Sequence, residues 1–362
     1  AAAAAEVAAT KDPVEAEGEA PAAADPPVVD PVSAAVALLA SAEVKAAVSG
    51  TSPSDDFTAV CAQLELTPPH PAVLRALAAD AAAFSLRNWK CDLPSLCGLL
   101  AVFSAHASFK VVRFWACGLD AVTLVLLASS LPPSVESVAL EGDVLAAHGG
   151  ELAALLSLPT ITSLSLRCAS LVPLPPALTE AMRSNQTLTS LSLWGNPLGD
   201  EGALALLAAI RAHPALLTLN LGRTQLTDGV THGVLALVME DAHAPASEPP
   251  SAEDGGAVDA DEEAASEPVP PNRTLTAISF AYNAIGTQGR LVLEAAQTAN
   301  PGLARLELVG NPCLSCGPTA SLGVAARSSI SANWEALAAL EGGAEAVVRK
   351  LVSSALALVP EA

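Results

Sequence analysis

The chain has 362 residues, of which 51% are hydrophobic and 15% charged, and its formal net charge is −21. Most of this charge lies in two stretches: residues 1–30 carry seven acids and one lysine, and residues 240–271 carry ten acids and no Lys or Arg. Such acidic stretches repel phosphates, which argues against nucleic acid as their partner. No apolar run approaches the ~18 residues that span a bilayer, so we expect no membrane segment and a cytoplasmic protein.

The first 81 residues divide into two parts. Residues 1–30 consist mainly of Ala, Pro and acids without periodicity, a composition that predicts a disordered tail. Beyond them, apolar residues recur at helical spacing, beginning with Val32, Val36 and Leu39. This spacing predicts helices over residues 31–81.

A leucine-rich repeat is clearest in the segment 185–210. Its leucines follow the spacing L-x-x-L-x-L and then N-x-L, in Leu188, Leu191, Leu193, Asn196 and Leu198. Alternate apolar positions place their side chains on one face of a short strand. After Gly199 two acids and then apolar residues at helical spacing predict a helix.

Eight copies of this unit align on the residue at the Asn196 position, which we call the anchor. The predicted anchors are Cys91, Cys117, Asp143, Ala169, Asn196, Thr224, Asn283 and Asn311. They are 26 to 28 residues apart, except for one interval of 59 that indicates a repeat plus an insertion. A period this long leaves room for a helix opposite each strand. We therefore predict an α/β leucine-rich-repeat solenoid with a curved parallel sheet inside and helices outside.

The remaining segments follow from this frame. The repeats occupy residues 82–318 and are interrupted by 241–271, whose Pro, Ala, Ser and acids predict a disordered loop. Helical spacing returns over 319–362. Because both ends of a solenoid must be covered, we interpret 31–81 and 319–362 as helical caps.

The concave face of the sheet is the expected binding surface, because the positions between the leucines point outward in register. This face carries the predicted partner-binding residues Arg87, Trp89, Lys90, Lys110, Arg113, Trp115, Arg167, Trp194, Arg223 and Tyr282. Arg and large aromatic residues are enriched in protein-binding hot spots. The pattern therefore predicts an interaction with another protein.

Two other interpretations of this face stay open. Trp89 and Trp115 could simply stack across neighbouring strands, with Arg87 and Arg113 packed over them. The opposite charges also suggest the hypothesis that an acidic segment covers the basic face until a partner displaces it.

Catalytic motifs are missing from the sequence, which has no G-x-x-x-x-G-K-[ST], no G-x-S-x-G and no H-E-x-x-H. The six histidines are scattered, and we expect His106, His148, His213 and His232 to be solvated or capping residues. We predict no enzyme, no cofactor and no metal site.

Cysteines and glycosylation sequons have structural explanations. Cys91, Cys117 and Cys168 lie at or beside anchors, so we expect buried thiols. Cys313 and Cys316 form a C-x-x-C without a second pair, which disfavours zinc. The sequons at Asn185 and Asn272 share one phase before a strand, which favours polar turn residues.

The segments N-P-L-G-D-E-G-A and Y-N-A-I-G-x-Q-G share one phase and resemble the ribonuclease-inhibitor type of leucine-rich repeat. Further marks are Trp89-Lys90, Val102-Phe103-Ser104, Trp115 with Gly118-Leu119, Leu140-Glu141-Gly142, Asn272-Arg273-Thr274-Leu275 and Tyr282-Asn283. With these, residues 82–312 resemble the family of leucine-rich repeat-containing protein seventy-one. This resemblance implies a non-enzymatic structural or adaptor subunit of the central apparatus of the ciliary or flagellar axoneme, bound to other projection subunits in a large complex.

Two alternatives remain. Ran GTPase-activating proteins share this repeat type and carry an acidic segment, but theirs follows the repeats, whereas here it interrupts them. A ribonuclease-inhibitor-like binder of basic proteins would suit the acidic segments but not the basic concave face.

Overall fold

The computed structural model describes residues 30–66, 69–80, 82–239 and 270–314. Within them, eight strands pair in chain order and form one parallel sheet. The strands are β1 Ala83–Arg87, β2 Val111–Trp115, β3 Ser137–Glu141, β4 Ser163–Ser165, β5 Ser190–Ser192, β6 Thr218–Asn220, β7 Ala277–Ser279 and β8 Arg305–Glu307. The predicted tail, most of the predicted insertion and the predicted C-terminal cap lie outside the described residues and stay predictions.

In the described ranges an α-helix follows each of the strands β1 to β7, and neighbouring helices pack against one another. They are α5 Leu93–Ala105, α6 Ala121–Ser130, α7 Gly149–Leu156, α8 Pro176–Ser184, α9 Gly199–Ala209, α10 Gly229–Val238 and α11 Thr287–Ala299. The predicted α/β solenoid is confirmed. None of the helices in the described ranges is long and apolar enough to cross a membrane.

The core lies between the sheet and these helices. Leu188, Leu191 and Leu193 are buried, which confirms the predicted strand phase. Leu191 lies opposite Leu164 on one side and Leu219 on the other, so apolar rows run across the strands. We call the sheet face turned away from the helices the concave face.

Buried asparagine and aspartate anchors connect their own repeat to the one before it. Asn196 Nδ2 donates to the carbonyl oxygens of Leu166 and Leu193 at 2.7 and 2.8 Å. Its Oδ1 accepts from the amides of Ala169 and Leu171 at 3.0 and 3.1 Å. One side chain therefore satisfies four buried backbone groups of two successive turns.

Asn283 and Asp143 make similar hydrogen bonds to the previous turn, as far as their side-chain donors and acceptors allow. Asn283 Oδ1 accepts from the amides of Thr224 and Leu226 at 2.9 and 3.1 Å. Asp143 can only accept when ionised, and it takes the amides of Cys117 and Gly118 at 3.2 and 2.8 Å. The hydrogen-bonded series thus tolerates different residues.

The predicted anchor of the first repeat is wrong. Phe84 lies opposite Val112, 28 residues later, so Trp89 rather than Cys91 aligns with Cys117. The Cys91 amide donates to the carbonyl oxygen of Cys117 at 2.9 Å. Leu145, two residues after the anchor Asp143, makes the equivalent bond to the Ala169 carbonyl oxygen at 2.9 Å, so Cys91 occupies a leucine position.

A second series of polar side chains lies at the turns from helix to strand. Asn185 and Asn272 are buried, and their Nδ2 atoms donate to the carbonyl oxygens of Leu156 and Ile210 at 2.6 and 2.9 Å. The prediction that these sequon asparagines are turn residues is confirmed. His213 occupies the same position; it is buried rather than solvated, and it acts as a capping residue because its Nδ1 accepts from the amides of Ala215 and Leu216.

Four helices precede the sheet, in the segment that we interpret as the N-terminal cap: α1 Pro31–Ala40, α2 Ala42–Ala47, α3 Pro53–Gln63 and α4 Pro71–Ala79. Helix α1 contacts the outer side of the repeat helices α5 and α6, and α3 contacts α5. Phe57 of α3 lies so close to Gly98 that an added Cβ would be 2.9 Å from its ring. The cap therefore covers the convex side of the first repeats.

A buried contact between Asp56 and His106 connects the cap to the first repeat. Asp56 is 2% exposed, and His106 Nε2 lies 2.8 Å from its Oδ2. Burial raises the pKa of Asp56, but hydrogen bonds from Ser49, His106 and Gly50 outweigh burial and lower that pKa from 3.8 to about 2. Ionised Asp56 thus stabilises the cap above the unfolded-state pKa, and this contribution is lost as the pH falls towards 2.

We expect Asp56→Asn to destabilise the protein at neutral pH, and the difference from wild type to close as the pH falls from about 4 to about 2. Urea midpoints measured across this range check it. The neighbour Asp55 supplies the control, because its side chain is exposed and Asp55→Asn should therefore change the stability only slightly. A gap for Asp56→Asn that persists at about pH 2 would contradict this account.

Asn196→Ala should lower the free energy of unfolding by about 2–4 kcal/mol, because it leaves the amides of Ala169 and Leu171 buried without an acceptor. Urea denaturation measures the loss. Gln186→Ala, at an exposed position nearby, should cost less than about 0.5 kcal/mol. Equal losses for the two variants would show that the anchor bonds contribute nothing.

Candidate interaction surface

The strand ends on the concave face bring several predicted residues into one row. Arg87 lies opposite Trp115, and Trp115 lies opposite Glu141. The row continues through Arg167 and Trp194, since the Gly142 amide donates to the Arg167 carbonyl and the Cys168 amide to the Trp194 carbonyl. These side chains alternate with buried leucines and phenylalanines, so they face away from the core.

Trp194 is flanked by two guanidinium groups. The Arg167 Cζ lies 4.8 Å from the centre of the Trp194 ring, and the Arg223 Cζ lies 5.8 Å from it. Both distances are typical of cation–π contacts. Three of the predicted residues, from three successive repeats, therefore form a cluster, which we call the Arg–Trp–Arg cluster.

A glycine makes room for this cluster. An added Cβ at Gly222 would lie 2.5 Å from Cδ1 of Trp194 and 3.2 Å from the Ala281 carbonyl oxygen. The indole thus rests directly on the backbone of the next repeat. Any larger residue at Gly222 would displace the ring.

Arg223 and Tyr282 occupy a left-handed backbone position. Their φ angles are 54° and 58°, and the equivalent residues Gly195 and Gly310 have 77° and 76°. Residues with a Cβ are strained in this region, and such strain is concentrated at functional sites. The Tyr282 side chain is 59% exposed, and its ring lies on the backbone of the next repeat, where an added Cβ at Gly310 would be 2.4 Å from Cδ1.

An open cleft of about 480 Å³ adjoins the cluster. It is lined by Gly195, Pro197, Arg223, Gln225, Tyr282, Asn283 and Ala284. Arg223 belongs to both, so the cleft extends the cluster towards Tyr282.

The predicted binding residues at the N-terminal end of the concave face do not form one cluster. Arg87 and Arg113 are exposed on neighbouring strands, and Trp115 packs towards Gly142. Lys110 precedes β2, and its Nζ lies 3.0 Å from Glu136 Oε1 in an exposed pair. Exposed pairs of this kind contribute about 0–1 kcal/mol.

Trp89 and Lys90 do not lie on the strand face. Both follow the end of β1, and Trp89 is half-buried with its ring 5.9 Å from that of His70. The proposed stacking of Trp89 on Trp115 is wrong, since Arg87 is the residue opposite Trp115. The two extra residues in the first turn cause this shift.

The cysteines and histidines serve the core and the turns. The six described cysteines are free. Burial raises the pKa of Cys97 and of Cys117 to about 11, as expected for unreactive core thiols. Burial lowers the pKa of His213, whose Nδ1 accepts backbone amides. In the described ranges no three His, Cys, Asp or Glu side chains are grouped to hold a metal ion, and Cys316 lies outside them.

Comparison with known proteins agrees with this geometry. The family model described as Leucine Rich repeat matches residues 184–207, around β5 and α9. The chain carries leucine-rich repeats. Over 64 residues it is 41% identical to the human and the rat leucine-rich repeat-containing protein 73. This match covers 18% of the chain and only 20% of those relatives' length. The ribonuclease-inhibitor type and the resemblance to protein seventy-one stay predictions.

We expect Gly222→Ala to push Trp194 out from between Arg167 and Arg223, at a cost of about 1–3 kcal/mol for overpacking. Acrylamide quenching of tryptophan fluorescence should therefore increase. Gly150→Ala is the matched control, because an added Cβ there meets no atom within 4 Å. Equal quenching in Gly222→Ala and wild type would mean that the ring is not packed on Gly222.

Proposed function

We propose that this chain is a non-enzymatic interaction scaffold that binds a partner protein on its concave face, centred on the Arg–Trp–Arg cluster. Leucine-rich repeats are suited to protein–protein interaction because the strand face presents a continuous surface. The observation that carries the proposal is Trp194 between Arg167 and Arg223. Trp and Arg are the residues most enriched in binding hot spots.

Stability alone does not account for the cluster. Cation–π contacts at exposed sites contribute only about 0.5–1 kcal/mol each, whereas Arg223 sits in a left-handed conformation that costs about 1–3 kcal/mol. A glycine at that position would remove the strain. Arg223 and the exposed Tyr282 both line the cleft, which favours a binding role.

We further propose that the scaffold is a structural or adaptor subunit of the axoneme, in its central apparatus. The support is the set of residues that resembles the family of protein seventy-one, two of which, Trp115 and Glu141, lie along the concave row. A cytoplasmic, cytoskeletal location follows from the same resemblance. The Ran regulator and the ribonuclease-inhibitor-like binder are the alternatives that the experiment must separate.

The test replaces the endogenous protein of a ciliated cell with tagged variants and extracts isolated axonemes with detergent and moderate salt. Wild type should stay on the axoneme. Trp194→Ala should be extracted, because losing a hot-spot residue costs at least about 2 kcal/mol, or about thirtyfold in affinity. Arg183→Ala is the control, since Arg183 is exposed on α8 and pairs with Glu180.

Each outcome separates the alternatives. Extraction of wild type would contradict the axonemal role, and stimulation of Ran GTP hydrolysis or inhibition of a basic ribonuclease would then identify the alternative. Retention of Trp194→Ala together with wild type would contradict the concave face as the contact. Extraction of the Arg183→Ala variant from the axoneme would indicate that the contact lies on the outer helices.

A further inference from the structure

The two guanidinium groups beside Trp194 lack a carboxylate partner in the described part of the chain. Arg167 Nε is buried and makes no hydrogen bond there. Glu141, the acid next to Arg167 in the row, accepts instead from the Ser165 hydroxyl. The Arg223 guanidinium lies over the ring of Trp194 and forms no ion pair with any described residue. Two positive charges are therefore held in place without neutralisation.

The sheet beside these charges is lined by small side chains. Across β4 to β7, the concave positions before the row are Ser163, Ser165, Ser190, Ser192, Thr218, Asn220, Ala277 and Ser279. The Ser192 hydroxyl has no hydrogen-bond partner in the described residues. An extended chain can approach such a floor closely, because no large side chain stands between it and the strands.

The spacing of the charges suits a peptide better than one compact anion. Arg167 and Arg223 belong to repeats two strands apart, which is about 10 Å at the usual strand spacing. Trp194 lies between them, so their guanidinium groups cannot converge on one phosphate. Side chains of an extended peptide that point the same way recur about every 7 Å, within reach of both arginines.

We propose that Arg167, Trp194, Arg223 and Tyr282 bind a carboxylate-rich peptide segment of the partner protein. The segment lies across the ends of β4 to β7, with its acids at the two arginines and its next residues in the cleft beside Tyr282. This inference rests on the proposed function, because it names the chemistry of the partner at the same surface.

The test is fluorescence anisotropy of the full chain with a labelled peptide of about twelve residues that has Glu at alternate positions. The same peptide with Gln for Glu is the control ligand. The Glu peptide should bind, the Gln peptide should not, and added salt should weaken binding. Arg223→Gln should weaken binding about tenfold, since one charged hydrogen bond is lost. Arg183→Gln, on α8, should bind as wild type does.

The acidic residues of 241–269 can compete with the peptide for the two arginines. The titration is therefore repeated with residues 241–269 replaced by a short Gly-Ser linker. The Asn272 amide donates to the Leu237 carbonyl at 2.8 Å, so the two ends are close enough for such a linker. Failure of the Glu peptide to bind either chain overturns the proposal. Equal binding of the Gln peptide also overturns it, and so does tighter binding of a phosphoserine version.

Failure of this inference differs from failure of the proposed function. If Trp194→Ala leaves the axoneme while no acidic peptide binds, the scaffold stands and the acidic partner is wrong. If the Glu peptide binds through Arg223 while wild type is extracted from axonemes, the acidic partner stands and the axonemal role is wrong.

Discussion

The structure depends on buried side chains that satisfy the backbone of neighbouring turns. A solenoid turn has backbone groups that neither a strand nor a helix can pair, and burying them unpaired would cost about 1–3 kcal/mol each. Asn196 satisfies four of them: one carbonyl in its own repeat, one carbonyl at the end of the previous strand, and two amides in the previous turn. Each repeat is therefore complete only with its neighbour, which is why the sheet extends in chain order without a branch.

The sequence was sufficient to predict those features of the fold that recur in every repeat. Every strand carries apolar residues at alternate positions, so Leu188, Leu191 and Leu193 identified both the fold and the buried face. The same periodicity placed Trp115, Arg167 and Trp194 on the concave face. The periodicity gave the wrong anchor in the first repeat, where two extra residues follow β1. The sequence suggests Cys91 as the anchor because a cysteine can occupy either the anchor or the leucine position. Trp89 was misplaced for that reason.

Features that do not recur from repeat to repeat could not be predicted from the sequence. Asp56 and His106 are 50 residues apart, and only the packing of α3 on α5 brings them together. The left-handed position is recognisable in Gly195 and Gly310, but Arg223 and Tyr282 hide it because neither residue is typical of that conformation. Asn88, Ala116 and Cys168 hold the same position in other repeats, so the residue type there does not follow a period.

The insertion interrupts the chain but not the surface. Arg223 and Tyr282 are 59 residues apart, yet they occupy equivalent positions on adjacent repeats, because β6 pairs with β7 directly. Asn283 bonds to the turn of Thr224 as Asn196 bonds to the turn of Ala169, so the anchor series crosses the interruption unchanged. The described chain stops after α10 and resumes before β7, whereas the Arg–Trp–Arg cluster lies at the opposite ends of the strands. The insertion can therefore differ in length and charge while the binding surface keeps its geometry.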